Sequence, residues 1–145
     1  MKMLLVKEKV YSTKKSVNSD ETIHTEVIHL NEEKVIKLKF ISSNSPRNQG
    51  VGFISENGIS INNAPKQKTV IIWKNEVQSE LILKCSSGFL NIFNVWEEER
   101  MVGFHDFQSG MRIKKEKDAM FYSCNDTFAN GDFTSLVFSL EILSD

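Results

Sequence analysis

One stretch near the end of the chain decides the fold: Ala119-Met-Phe-Tyr-Ser-Cys124, then Asn125-Asp-Thr-Phe-Ala-Asn-Gly-Asp132, then Phe133-Thr-Ser-Leu-Val-Phe-Ser-Leu-Glu-Ile142. Its two outer segments are short and rich in aromatic and aliphatic residues, which is typical of β-strands. Its middle segment concentrates Asn, Asp and Gly, which tight turns favour. The stretch therefore predicts two final strands joined by a polar loop at Asn125–Asp132.

A similar alternation of apolar and polar side chains recurs in the first third of the chain. In Val35–Ile41, apolar residues alternate with two lysines, as in a half-buried strand. Thr22–Leu30 also alternates, and Asn31–Lys34 between the two segments has the composition of a turn. We therefore expect these two segments to pair as a β-hairpin.

A second hairpin is predicted around Asn57 and Gly58. Both residue types accept the positive φ that a two-residue hairpin turn requires. The short apolar runs Val51–Ser55 and Ile59–Ile61 flank them and would form its strands.

A third hairpin is predicted where Ser86–Gly88 separates Leu81–Cys85 from Phe89–Trp96. Both faces of Phe89–Trp96 are largely apolar. We therefore expect this strand to be central and covered on both sides.

Helical periodicity is scarce, and we expect at most one helical turn, within Asn75–Lys84, because that segment presents no single apolar stripe. Roughly ten short strands at this spacing predict an all-β fold, an antiparallel β-sandwich of the jelly-roll type. Residues 1–145 have the length of one domain and contain no repeat or internal linker. We expect the following residues in the core: Leu38, Phe40, Ile72, Leu83, Phe93, Val95, Phe121, Leu136 and Phe138.

Composition argues against nucleic acid and membrane partners. The net charge is −1 and the basic residues are scattered, so nothing in the sequence resembles a phosphate-binding surface. No apolar run approaches the roughly 18 residues of a membrane span, and the one in Met1–Lys7 is too short for a secretory signal. We therefore expect a cytoplasmic protein, in which Cys85 and Cys124 are free thiols rather than a disulfide.

Catalytic motifs are also missing, so we expect a protein that is not an enzyme. There is no Gly-x-Ser-x-Gly elbow, His-Glu-x-x-His pair or phosphate-cradling glycine loop. His24 and His29 differ by an odd number within one predicted strand, so they would point to opposite faces. The alternative is an enzyme centred on His105 and Asp106, whose side chains would need a loop conformation to act together.

The loop Asn125–Asp132 is the candidate ligand site. Calcium takes six to eight oxygens, and this loop offers part of such a shell, with Asp126 and Asp132 as the alternative ligands. Its spacing is not that of an EF-hand, and Asn, Asp and Gly are also what a turn prefers, so we expect no cofactor. An aromatic ring beside the loop would suit a sugar, and the candidate ligand-binding residues are Trp96, Trp73, Asn125, Asp126, Asn130 and Asp132.

The end of the chain resembles that of small bacterial β-sandwich proteins, which are largely of unknown function. The resemblance rests on Cys124-Asn-Asp126, Gly131-Asp-Phe133 and Leu136-Val-Phe138. Further residues that match this group extend the similarity over roughly the C-terminal half: Trp73, Cys85, Asn91–Trp96, Ser109–Met111 and Tyr122. In some of these proteins an acidic Gly-Asp-x-Asp-Phe-Asn-Asp-Leu-Val pattern suggests calcium, but Thr134 and Ser135 stand here where that pattern has Asn and Asp.

Taken together, the sequence predicts a non-catalytic binding protein that acts through a protein–protein surface. Immunity and inhibitor proteins of bacterial toxins are often small cytoplasmic proteins of this kind. We therefore expect that class by analogy, since no motif identifies it. The alternative is calcium-assisted carbohydrate binding by Trp96 or Trp73 with the Asn125–Asp132 loop. An exposed Trp96 ring beside that loop would favour the second hypothesis.

Overall fold

A computed structural model describes residues 22–99, 101–104, 109–126 and 133–143 of the chain, which form an all-β antiparallel sheet of ten strands. The helical structure in these residues is a single 3₁₀ turn, Lys74–Glu76, which confirms the limit of one turn, although it begins one residue before the predicted segment Asn75–Lys84. The strands are β1 (Glu26–Leu30), β2 (Lys34–Ser43), β3 (Gln49–Ile61), β4 (Gln67–Trp73), β5 (Glu80–Cys85), β6 (Gly88–Glu98), β7 (Met101–Gly103), β8 (Gly110–Glu116), β9 (Ala119–Asn125) and β10 (Leu136–Leu143).

The strands follow the order β1-β6-β3-β5-β2-β10-β9-β8, with β4 paired to β3 and β7 paired to β6. The sheet curls into a half-barrel, so the expected jelly-roll sandwich is not confirmed. Several strands are also longer than expected, since β3 has 13 residues, β6 has 11 and β2 has 10. The two predicted final strands are confirmed as β9 and β10, and they pair with each other, with Phe138 opposite Tyr122.

The first and third predicted hairpins are wrong, because the chain bends at these points without reversing. Leu30 at the end of β1 pairs with Gly88 of β6, and Lys34 at the start of β2 pairs with Cys85 of β5. Within the described residues β1 therefore does not pair with β2, and β5 does not pair with β6. Instead, β1 and β2 together form one long, bent strand, and β5 and β6 form another. These two long strands pair with each other.

The hairpin at Asn57-Gly58 is wrong for the same reason. β3 runs through both residues and pairs with β6 before them and with β5 after them. Of the two, Gly58 alone has a positive φ, 111°, and the register of β3 against β4 shifts between Ile54 and Ile59. Gly58 forms a β-bulge that bends a continuous strand. The positive φ of glycine permits a bulge as readily as it permits a hairpin turn.

The three bends lie next to one another; we call them the corner row, residues 31–33, 56–58 and 86–87. Hydrogen bonds connect the second and third bends. The Ser86 amide donates to the Gly58 carbonyl at 3.0 Å. The Asn57 side-chain amide donates to the Ser87 carbonyl at 2.7 Å, and the Phe89 amide donates to Glu56 Oε1 at 3.1 Å. Side chains thus satisfy backbone groups beside the bend, as buried or partly buried polar groups require.

The interior of the half-barrel matches the predicted core with one exception. Eight of the nine predicted residues are buried, with exposures of 8% or less. Phe121 is wrong, since it is half-buried. Tyr122 and Cys124 occupy the inward positions of β9, and Phe121 is one residue out of phase with them, so it points outward beside Lys114.

Two contacts bring the ends of the sheet together. Ile23, just before β1, exchanges two backbone hydrogen bonds with Met111 of β8, at 3.0 and 2.8 Å. The Tyr122 hydroxyl of β9 donates to the Glu26 carboxyl of β1, and its ring stacks on Phe138 at 4.5 Å. Burial raises the pKa of Glu26, although the bond from Tyr122 and the charge of Lys115 oppose that rise.

Both cysteines are free and buried, as predicted. Burial raises the pKa of Cys85 to about 12 and that of Cys124 well above its ordinary value, so both remain thiols. In the part of the chain that the structure describes, no helix has the length and apolar character to cross a membrane.

The corner row predicts that Gly88→Ala destabilises the fold. Gly88 has φ 115°, and a Cβ there would lie 2.7 Å from Glu56 Oε1 and 2.8 Å from Asn57 Nδ2. We expect a loss of roughly 1–3 kcal/mol in urea-induced unfolding, from backbone strain and displacement of the two side chains. Ser87→Ala is the control and should change stability by less than about 0.5 kcal/mol, because its exposed side chain can be removed without touching the Ser87 carbonyl. Equal stability of the two variants would contradict the role of the corner.

The Glu26–Tyr122 contact predicts a pH dependence with a defined sign. The pKa of Glu26 is higher in the folded state than in the unfolded state, so the folded state holds this proton more tightly. The resulting stabilisation is complete at low pH and is lost as the pH rises through the folded-state pKa. Glu26→Gln imitates the protonated carboxyl and still accepts the Tyr122 hydroxyl. Relative to the native chain, the variant should gain stability as the pH rises above the ordinary range of a glutamate pKa, measured by urea-induced unfolding at a series of pH values. A constant difference, or a gain toward low pH, would contradict the assignment.

Candidate functional site

Neither tryptophan presents a ring face to solvent. Trp96 is 1% exposed and Trp73 is 8% exposed. Gly103 of β7 lies so close to the Trp96 ring that no Cβ would fit there, and the Trp73 ring packs on Gly50. The Trp96 indole nitrogen donates to Glu98 at 3.3 Å. The structure therefore lacks the exposed Trp96 ring that the carbohydrate hypothesis requires, because Gly103 of β7 packs against that ring.

Asn125 and Asp126 stand at the end of β9, and both are buried. The Asn125 carbonyl accepts the Asn94 side-chain amide from β6 at 2.9 Å, and Asn125 Oδ1 accepts the Phe133 backbone amide at 2.7 Å. Asn125 thus fixes the two ends of the loop to each other, which is the role of a turn residue.

The Asp126 carboxylate accepts hydrogen bonds from two separate parts of the chain. Its Oδ2 accepts the Ser45 hydroxyl at 2.6 Å and the Gln49 side-chain amide at 2.8 Å. Its Oδ1 accepts the Ser135 hydroxyl at 3.4 Å. Asp126 therefore ties the β2–β3 loop to the start of β10, an arrangement that sequence reasoning missed because Ser45 and Gln49 lie far away along the chain.

The remaining candidate residues lie outside the described part of the chain. These are Asn130 and Asp132 of the loop, and His105 and Asp106 of the enzyme hypothesis. Among the described residues there is no group of three or more His, Cys, Asp or Glu side chains that could hold a metal ion. The polar residues that are described act as a structural network.

A different region has the composition of a binding surface, and sequence reasoning did not single it out. We call it the basic face: the outward side chains Lys37, Lys39 and Ile41 of β2 and Ile82 and Lys84 of β5. The register pairs Lys37 with Ile82, so the two strands present these side chains side by side. Their neighbours in sequence, such as Leu38 and Leu83, point inward and are fully buried. The alternation that builds the core also builds this face.

Exposed apolar surface is concentrated on the basic face. In the described ranges, the large apolar residues that are exposed are Ile41 at 45%, Ile82 at 44% and Met101 at 49%, and two of these three belong to the face. Ile82 and Lys84 also line an open hollow of about 200 Å³, together with Val35, Ser60 and the turn at Asn62 and Asn63. The hollow suits a small apolar side chain.

The charge of the basic face is only partly compensated. Lys37 forms an ion pair with Glu141 of β10 at 3.2 Å. Lys84 is exposed and forms no ion pair with any residue that the structure describes, and Lys39, also exposed and in no such ion pair, lies opposite the exposed Glu80 of β5. Two cations next to two exposed isoleucines therefore favour an acidic surface that also carries apolar side chains.

No family model matches the chain, and neither the curated proteins nor the solved structures contain a significant match to it. The resemblance of its C-terminal half to small bacterial β-sandwich proteins stays a prediction.

The Asp126 network predicts a loss of stability that does not depend on calcium. Asp126→Ala removes the acceptor of the Ser45 hydroxyl and one of the two acceptors of the buried Gln49 amide, and we expect it to cost roughly 1–3 kcal/mol in urea-induced unfolding. Asp118→Ala, in the exposed β8–β9 turn, should cost less than about 0.5 kcal/mol. Melting curves of the native chain in calcium and in chelator should coincide. A calcium-dependent rise in melting temperature that Asp126→Ala abolishes would instead identify a cation site.

Proposed function

We propose that this chain is a non-catalytic binding protein that holds an acidic protein partner against its basic face. The observation that carries the proposal is that exposed Ile41 and Ile82 share one outward surface with Lys39 and Lys84, which form no ion pair with any described residue. Sheet faces turned to water are usually polar, and apolar residues beside free cations favour protein contacts.

The expected contact has an apolar centre and a charged surround. A partner's aliphatic side chain enters the hollow beside Ile82, and burying such a side chain contributes about 1.5–3 kcal/mol. Carboxylates of the partner meet Lys39 and Lys84, which adds mostly to the rate and specificity of association. The two strands are held by β10 and β3 on either side, so the face is already formed before binding.

The partner class that fits best is a bacterial toxin, with this chain as its cytoplasmic immunity or inhibitor protein. The small size of the chain and the missing catalytic motifs support this partner class by analogy. Carbohydrate binding has less support, because Trp96 is buried. For the finer description of the fold we propose a jelly-roll sandwich, supported by the contacts that bring β8 and β9 against β1.

The basic face predicts a charge-specific loss of binding. The chain is purified with the products of the two neighbouring genes, because an immunity protein is expected to be encoded beside its toxin, and affinity is measured by calorimetry. Ile82→Glu should weaken the complex at least about tenfold, by adding a charge to the hollow and repelling an acidic partner. Met101→Glu is the matched control, since Met101 is equally exposed outside the face, and it should change affinity less than about twofold.

Three results would contradict the proposal. The first is that neither neighbouring product binds. The second is that Ile82→Glu and Met101→Glu weaken the complex equally. The third is that light scattering shows the free chain to be a dimer that Ile82→Glu dissociates, since the face would then bind a second copy of the chain.

A further inference from the structure

A cleft of about 430 Å³ lies on another part of the molecule, between the end of β1, the β8–β9 turn and the end of β10. Its volume falls in the range of about 300–1,000 Å³ that small-molecule sites occupy. None of its lining residues belongs to the basic face. The cleft opens beyond the contacts Ile23–Met111 and Glu26–Tyr122, where β1 continues toward the corner row.

The floor of the cleft is apolar. It is built from side chains of β1, β9 and β10, which are half-buried except for Leu30, at 5% exposure. These residues are Ile28, Leu30, Met120, Ile142 and Leu143. All five side chains are apolar, and the unbranched Met120 can adjust its shape to a bound chain, so this floor suits an alkyl group rather than a polar ligand.

The rim of the cleft is cationic. Lys34, Lys115 and Lys117 line it, together with one acidic residue, Asp118. Lys34 forms an ion pair with Glu32 at 3.0 Å. Lys115 and Lys117 are exposed and are in no ion pair formed by described residues, so both can meet an anion, although the charge of Lys115 also acts on Glu26.

The inner end of the cleft sets the direction of the ligand. Met120 of the floor lies 3.7 Å, sulfur to oxygen, from the Tyr122 hydroxyl, which is already bound to the Glu26 carboxyl. Glu26 is two residues before Ile28, on the same side of β1. A second acidic group placed there would be repelled by that carboxyl whenever it is ionised. The anionic end of a ligand therefore belongs at the lysines and its apolar end at the floor.

We infer that this cleft binds a single-chain amphiphile with an anionic head, its head between Lys115 and Lys117 and its alkyl chain over Met120 and Ile142. This activity goes beyond the proposed protein contact and does not depend on it. Each methylene that the cleft buries should raise the affinity about fourfold, the equivalent of about 0.8 kcal/mol. A carboxylate and a phosphate head both meet the charge requirement, so the head group is decided by experiment.

The test is calorimetric titration of the full chain with four probes, each below its micelle concentration. Dodecanoate and dodecyl phosphate carry the required head and chain, dodecyltrimethylammonium reverses the head charge, and butyrate shortens the chain. We expect saturable 1:1 binding of dodecanoate, dodecyl phosphate or both, and affinity at least about tenfold lower for the cation and for butyrate. Whichever anion binds identifies the head group.

Paired charge reversals then locate the site. Lys115→Glu with Lys117→Glu should weaken binding of the anionic amphiphile at least about tenfold. Lys66→Glu with Lys68→Glu makes the same change of net charge at exposed positions beside and on β4, away from the cleft, and should weaken binding less than about threefold. Melting temperatures of both variants check that the fold is retained. Ile82→Glu should leave the affinity unchanged, which separates this site from the basic face.

Failure of both anions to bind would overturn the inference. Equal binding of dodecyltrimethylammonium would also overturn it, because it would indicate adsorption to apolar surface without recognition of the head. Equal losses in the two double variants would show an effect of net charge alone and remove the lysine rim from the site.

Discussion

The hydrogen bonds of the corner row set the register on which the rest of the sheet depends. A β-strand that slips by one residue turns every inward side chain outward. Glu56 and Asn57 prevent such a slip by holding the Phe89 amide and the Ser87 carbonyl at the point where β3 bends. The inward alternation therefore continues on both sides of the bend. Phe53 before the corner and Ile59 after it are both buried in one core.

The strands and their inward faces could be predicted because alternation is local. What could not be predicted is whether the chain reverses at a turn signal, since Gly58 suits a hairpin turn and a bulge equally. The choice depends on partners from other parts of the chain, such as Ser86, whose amide binds the Gly58 carbonyl. Phe121 was misplaced for a related reason. Its strand is apolar on both faces, and only the pairing with β10 puts Tyr122 inside.

The sites were less predictable than the fold, because each is assembled from distant segments. Asp126 looked like a cation ligand beside its own loop, whereas two of its donors, Ser45 and Gln49, lie 81 and 77 residues earlier. The cleft proposed to bind an amphiphile combines residues of β1, the β8–β9 turn and β10, and none of these segments carries a sequence motif. The sequence shows the two alternating lysines of β2. It does not show that β5 places the exposed Ile82 beside them, because that depends on strand pairing.

The order of pairing has a consequence for how the protein acquires its fold. β2 (Lys34–Ser43) has β10 (Leu136–Leu143) as one of its two neighbours, so a strand made early waits for one made about a hundred residues later. Strands this far apart in sequence pair slowly, because the chain between them loses conformational entropy before any contact offsets that loss. During synthesis on the ribosome, the open side of β2 exposes unpaired backbone groups to other nascent chains. The lysines of β2, on the outward face of that strand, discourage such association by mutual repulsion until β10 arrives.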